Sequence, residues 1–278
     1  MSGTCVGACA VLVRSVVAAA MLIGLGALAA RAQDFAPVVP PVLAQGASPL
    51  LDLGLPPRSP RAEWASGVAR PFGLAELDAG WVAAGGGLRA MRTALGVARN
   101  GDTSIGWDAL GVGVGLATTE AGVAVRGVVR RDRAPGEPST PGEPSRLATG
   151  AEIGAGGWIG IGENAIAWVA HPQITTRGAA PALRRALEAG IAWRNGPACG
   201  WLTREAAPRS RSSDAHRAGL ALGVPRAWVW AELRDAPLRA SVGAAASAGG
   251  FVVAATMDMH PVLPPTARMS LSAGGAPW

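Results

Sequence analysis

Leu110-Gly111-Val112-Gly113-Val114-Gly115-Leu116, followed after a short break by Val123-Ala124-Val125-Arg126-Gly127-Val128-Val129-Arg130-Arg131-Asp132, decides the fold. In the first run the large apolar residues take one face and the glycines the other. In the second, Val123, Val125 and Val129 oppose Arg126, Arg130 and Asp132. A side-chain period of two means strand. The pattern returns downstream. Leu187, Ala189, Ile191 and Trp193 oppose Glu188 and Arg194, while Phe251, Val253, Ala255 and Met257 oppose Thr256, Asp258 and His260.

Working outward from these runs, short alternating segments recur from about residue 61, separated by Gly, Pro, Asn and Asp. The spacing predicts about 14 strands, over 61–70, 75–86, 89–99, 104–118, 121–132, 147–161, 163–171, 184–194, 198–206, 215–224, 226–234, 238–247, 250–259 and 266–274. Most approach the roughly 9–11 residues of a tilted transmembrane strand, whereas the strands of soluble sandwiches average closer to 5 or 6. The connections sort by parity. Every second one (Gly87-Leu88, Thr119-Glu120, Gly162, Asn195-Gly196-Pro197, Pro225, Ala248-Gly249) is short, and the long ones, 133–146, 172–183, 207–214 and 260–265, fall on the other side. Short periplasmic turns and longer extracellular loops are the habit of outer-membrane barrels. The expectation is an all-β chain forming one antiparallel up-and-down transmembrane β-barrel over 61–278.

Composition agrees. The 278 residues are 49% hydrophobic and only 16% charged, where a soluble domain is nearer a quarter charged. No segment beyond the N-terminus offers the run of about 20 apolar residues that a membrane helix needs. The 25 basic residues are all Arg and lie scattered against 19 acids, with no basic helix or block, so no nucleic-acid partner is expected.

The N-terminus carries its own signal. Arg14, an apolar run from Val16 to Ala29 and the small-residue site Ala30-Arg31-Ala32 stand in the order of a secretory signal peptide, with cleavage before Gln33. Residues 33–60 are Pro-rich and aperiodic, and are expected to form a loose N-terminal segment or a short plug.

Charge is expensive on a lipid-facing strand surface, by about 2–4 kcal/mol for an Arg at the midplane. Parity therefore names Arg126, Arg130, Glu188, Arg194, Glu232, Arg234 and Asp258 as candidate lumen-lining residues. Exchange of Arg126 or Glu188 for Leu is expected to alter passage and leave folding intact. Trp107, Trp158, Trp193, Trp201, Trp228 and Trp278 fall near predicted strand ends and are candidates for an aromatic girdle, ordinary core tryptophan being the alternative.

Other chemistry finds little support. The runs 111–115 and 154–157 lack the full G-x-G-x-x-G spacing and lead into no helix, so small residues on an inward strand face explain them better than nucleotide binding. The chain contains no G-x-S-x-G or H-E-x-x-H, and His171, His216 and His260 have no ligand spacing. Asp258 and His260 share a face, and Ser270 or Ser272 could lie on the next strand, but register would have to cooperate. Cys199 is the single cysteine after the signal region and reads as an inert thiol. No enzyme activity, metal or cofactor is expected.

The C-terminal third is familiar. Arg226-Ala-Trp-Val-Trp-Ala-Glu-Leu-Arg-Asp235, the strands after it, His260-Pro-Val-Leu263 and the last strand Met269-Ser-Leu-Ser272 resemble the closing strands of FadL/PorV-like outer-membrane barrels; Pro71-Phe-Gly-Leu-Ala-Glu-Leu77 is similar to an early strand boundary there. The resemblance implies 14 strands and an N-terminal plug, which would fall on 33–60. It also implies a final aromatic residue, here Trp278, read by the barrel-assembly machinery. The family includes fatty-acid transporters and secretion-system components; no ligand motif carries over. The expected function is passage or binding of a small apolar or amphipathic molecule across the outer membrane, with membrane lipid as surroundings. The alternatives are a docking or secretion component working through its outer loops, 133–146 above all, and a secreted soluble β-sandwich binding protein.

Overall fold

The computed structural model describes residues 47–58, 60–74, 78–101, 106–133, 147–178, 187–206, 214–236 and 238–273. The expected signal peptide 1–32, the loop repeat within 134–146 and Trp278 lie outside them.

Fourteen strands close into one antiparallel barrel: β1 Glu63–Arg70, β2 Ala79–Leu88, β3 Met91–Gly101, β4 Gly106–Ala117, β5 Ala121–Arg133, β6 Leu147–Ile161, β7 Ala165–Gly178, β8 Leu187–Asn195, β9 Ala198–Ala206, β10 Ala215–Val224, β11 Ala227–Asp235, β12 Leu238–Ala248, β13 Phe251–Met259 and β14 Thr266–Ala273. Each strand pairs with its sequence neighbour, and β1 with β14. Every strand thus has a neighbour on each side, which closes the sheet on itself in place of a free edge. A helix, α1, spans Ala47–Leu53 ahead of the barrel.

Every even-numbered strand runs into its successor through two or three residues, as at 89–90, 118–120, 196–197 and 249–250. Gly249 and Gly250 both have positive φ, as the mirror-image two-residue hairpin turn requires. The longer connections gather at the opposite end, with both ends of the barrel chain, Glu63 and Ala273, at the short-turn end. At 260–265 the His260 ring organises the loop: its Nδ1 accepts the backbone N–H of Val262 and of Leu263, both at 3.2 Å.

The polarity is inverted relative to a soluble protein. Val82, Leu95, Val97, Leu110, Val112, Val114, Val125, Val129, Leu220, Leu222 and Val253 are among a large set of exposed aliphatic side chains on the outer wall. Buried polar residues include Arg92, Arg126, Arg130, Glu152, Glu188, Glu205 and Arg217, and they face inward. Outward-facing charges on the described strands stand at the long-connection rim. Arg99 meets Asp108 at 3.8 Å, and His216 meets Asp235 at 2.9 Å. Arg70 donates to Asp78 at 2.7 and 2.8 Å, and that bond holds the Asp78 carboxyl below its ordinary range. An uncharged apolar belt thus encircles the wall below the rim.

Two expectations need correction. Strand β7 was expected to end at 171 and continues to Gly178. Pro172 cannot donate to a ladder, yet here it is absorbed in an irregularity of the β6–β7 register between Ile153 and Ala155 rather than ending the strand. The segment before the barrel is also not loose over 47–58. Leu50 and Leu51 are fully buried, Leu53 and Leu55 nearly so, and α1 packs against β1–β7. Three leucines in seven residues supply the apolar face, and Gly54, with φ +72°, ends the helix in the left-handed conformation.

Candidate functional site

The site is the lumen, and the first element in it is the N-terminal segment. Three wall side chains hold its carbonyls. Arg126 donates from Nη1 to Leu51 O at 2.6 Å; Trp158 Nε1 donates to Pro56 O at 2.8 Å; Arg92 donates to Pro57 O and Arg58 O, both at 3.0 Å. Glycines make room for it. A Cβ at Gly113 would stand 2.5 Å from the Leu50 side chain, and one at Gly156 would stand 2.9 Å from Leu53 O. The glycine runs at 111–115 and 154–157 therefore include the wall on which this segment seats.

Arg126 is 1% exposed and ties several elements together. It pairs with Glu152 on β6, and its Nε and Nη2 donate to Pro172 O at 2.9 and 2.5 Å. The register irregularity at Pro172 is what offers this carbonyl to the lumen. Gly154 is needed opposite it, because a Cβ there would lie 2.2 Å from Pro172 O. Gln173 donates to the second oxygen of Glu152 at 3.0 Å.

The opposite wall carries a second charged group, centred on Arg217 of β10. Its Nη2 donates to Glu188 at 2.5 Å, its Nε stands 2.6 Å from Glu205, and its Nη1 stands 3.6 Å from Glu232. Arg234 reaches the other oxygen of Glu205 at 3.0 Å. Nearer the long-connection rim, Arg268 pairs with Asp258 at 2.8 Å and Arg130 with Asp132 at 2.6 Å.

Toward the short-turn end lies a tryptophan layer. Trp168 Nε1 donates to Glu188 at 3.4 Å and Trp201 Nε1 to Glu232 at 2.8 Å, so the charged layer anchors the rings. Trp158, Trp168, Trp201 and Trp230 belong to one buried cluster with Leu53, Leu55, Ala245, Val252 and Ala254, which joins the N-terminal segment to the far wall. Each ring lies over a glycine directly opposite on the adjacent strand: Trp158 over Gly122, Trp168 over Gly190, Trp201 over Gly219, Trp230 over Gly243. The ring leaves no room for a side chain at the glycine. A Cβ at Gly219 would come within 2.1 Å of the Trp201 ring. Covering a strand glycine with an aromatic ring is a recurrent sheet device.

This corrects the aromatic-girdle assignment. Trp158 and Trp201 are core residues of the lumen, and Trp228 and Trp107 pack against the inner clusters. Trp193 alone of the described candidates faces outward, 41% exposed, over Gly200. The physical reason is the register, which sets inward-facing glycines opposite Trp158 and Trp201 to take their rings.

Of the candidate lumen residues, Arg126, Arg130, Glu188, Glu232, Arg234 and Asp258 all sit in the ion pairs just described. Arg194 does not. It is exposed at the end of β8, where its Nε donates to Gly196 O at 3.1 Å. Residues not singled out from the sequence complete the site: Glu152, Glu205, Arg217, Arg239, Arg268 and Trp168. Parity would have found Arg217, which alternates with Leu220 and Leu222 in its strand; it also sets Trp228 and Trp230 on the face of Glu232 and Arg234, against a place in the girdle, and nothing local marks Trp168. Asp258 is engaged by Arg268, the His260 ring caps its own loop, and Ser270 stands opposite Ala254, so the structure does not assemble a Ser-His-Asp group there. Among the described residues no group of three or more His, Cys, Asp or Glu is placed to hold a metal.

No protein-family model matches the chain, nor does any curated protein. Solved structures similar to it include a mutant of the Rh. blastica porin, at 11% identity and a TM-score of 0.42, covering 77% of this chain and 99% of that one. A triple mutant of the Rhodopseudomonas blastica porin, at 10% identity, has the same score and coverage. The likeness is one of shape, at a score below one half.

Proposed function

We propose that this chain is an outer-membrane β-barrel that admits a small apolar or amphipathic molecule through a lumen closed at rest by its own N-terminal segment. The observation that carries the reading is the pairing of an apolar outer belt with an interior into which residues 47–58 and the tryptophan layer pack. The belt suits lipid; the polar interior is walled off from it. The charged upper layer and aromatic lower layer would present an amphipathic molecule first with ions and then with rings. The export signal at 1–32 and the resemblance of the C-terminal strands to FadL/PorV-like barrels favour the same reading.

Closure by 47–58 predicts how the channel opens. Full-length protein in planar bilayers should conduct poorly. A variant lacking 47–58, and separately Leu50→Asp, which places a charge against Gly113, should both conduct markedly more. Retention of the heat-dependent mobility shift on gels would show that each variant is folded. Folded variants with conductance equal to the full chain would exclude residues 47–58 as the stopper.

A further inference from the structure

We propose that the long-connection mouth of the lumen holds a binding site for a compact oxyanion, built by Arg239 and Arg234 with Arg268 beside them. The register places Arg234 of β11 directly opposite Arg239 of β12, and both side chains face inward. Directly opposed side chains on paired strands have Cβ atoms about 4.5–5.5 Å apart, and like charges there repel. Each guanidinium also has a buried Nε with no hydrogen-bond acceptor among the described residues. A buried donor left without an acceptor is costly, so the arrangement stores two penalties at one point.

Neighbouring acids relieve them only in part. Charges within range of Arg239 are Arg234, Arg268, Asp258 and Glu205. Asp258 is taken by Arg268 at 2.8 Å. Glu205 serves Arg234 at 3.0 Å and also Arg217 at 2.6 Å one layer down. In the ion pairs among the described residues these arginines meet two carboxylates, one of which is divided with Arg217. The side chains of Arg234 and Arg268 are 16% and 26% exposed, so the cluster opens to the mouth, unlike the sealed Arg217 group. An oxyanion between Arg234 and Arg239 would accept from their guanidinium N–H groups and screen the repulsion. The planar guanidinium suits phosphate, sulfate or carboxylate oxygens.

The site stands on the mouth geometry alone and does not require passage. Inorganic phosphate titrated calorimetrically into the full-length protein in neutral detergent at low salt should bind with a one-to-one stoichiometry. Arg239→Gln should weaken binding by roughly tenfold or more, as expected for losing a charge-assisted bond. Arg239→Lys should keep part of it, and Arg226→Gln at the short-turn end should bind like the parent. Octyl phosphate run in parallel identifies the source of the anion: tighter binding than phosphate marks an amphiphile headgroup, equal binding a free ion, and either supports the site. No phosphate or octyl phosphate binding by the folded parent, or undiminished binding by folded Arg239→Gln, would overturn it.

Discussion

Arg126→Leu is expected to destabilise the barrel by about 3–5 kcal/mol, the usual cost of removing one partner from a buried ion pair. Its guanidinium is sealed from solvent and serves Glu152, Pro172 O and Leu51 O at once. The substitution leaves the Glu152 carboxylate inside the wall without its cation, and releases the carbonyls that hold the register irregularity and α1. This revises the expectation from the sequence that the position could be exchanged without affecting folding, which assumed a wetted lumen. Urea-driven unfolding of vesicle-inserted protein measures the loss. Arg126→Leu with Glu152→Leu should recover part of it, since replacing both partners removes the stranded charge, while the two carbonyls stay unserved. A loss below about 1 kcal/mol, in the range of an exposed pair, would mean that the pair is solvated.

Trp201→Ala is the second large effect. Truncating a fully packed aromatic residue costs about 3–5 kcal/mol through lost burial and the cavity left behind. Trp201 is 2% exposed, sits over Gly219, and holds Glu232 through its indole N–H. Neither neighbour can fill the gap: glycine has no side chain, and the glutamate loses its donor. Trp193→Ala is the matched control, with the same ring-over-glycine pairing on the outer face, where lipid tails would replace the ring. The inner substitution should lower stability and raise conductance; the outer should change conductance little. Equal effects on both would contradict the assignment of Trp201 to the lumen. Unfolding in urea and bilayer conductance read the two quantities.

Much of the barrel was legible because alternation writes inside and outside into neighbouring residues. Leu110–Leu116 and Val123–Asp132 state their two faces outright, and the parity of the connections follows from strand ends marked by Gly, Pro and Asn. Legibility failed where a tertiary partner decides the outcome. Pro172 reads as a strand end until Gly154 and Arg126 are placed opposite it. Tryptophan suits either face of a filled barrel, and only the register, by setting Trp201 against Gly219 or Trp158 against Gly122, sends the ring inward. Helix α1 is too short to show a period, and its leucines find their burial only against the glycine-lined wall. The ion pairs at Glu188, Glu232, Arg234 and Asp258 lie on residues that parity picked out, whereas their bonding partners had to come from the closed sheet; Arg130 pairs within its own strand, with Asp132.

An uncharged apolar belt around a closed barrel is expected to lie in a membrane. The most direct measurement is fractionation of expressing cells, with a urea wash of the outer membrane and gel mobility compared before and after boiling. The chain is expected to stay in the washed outer membrane and to change mobility on boiling, as a closed barrel does. Recovery in the soluble periplasm with one mobility at both temperatures would contradict it.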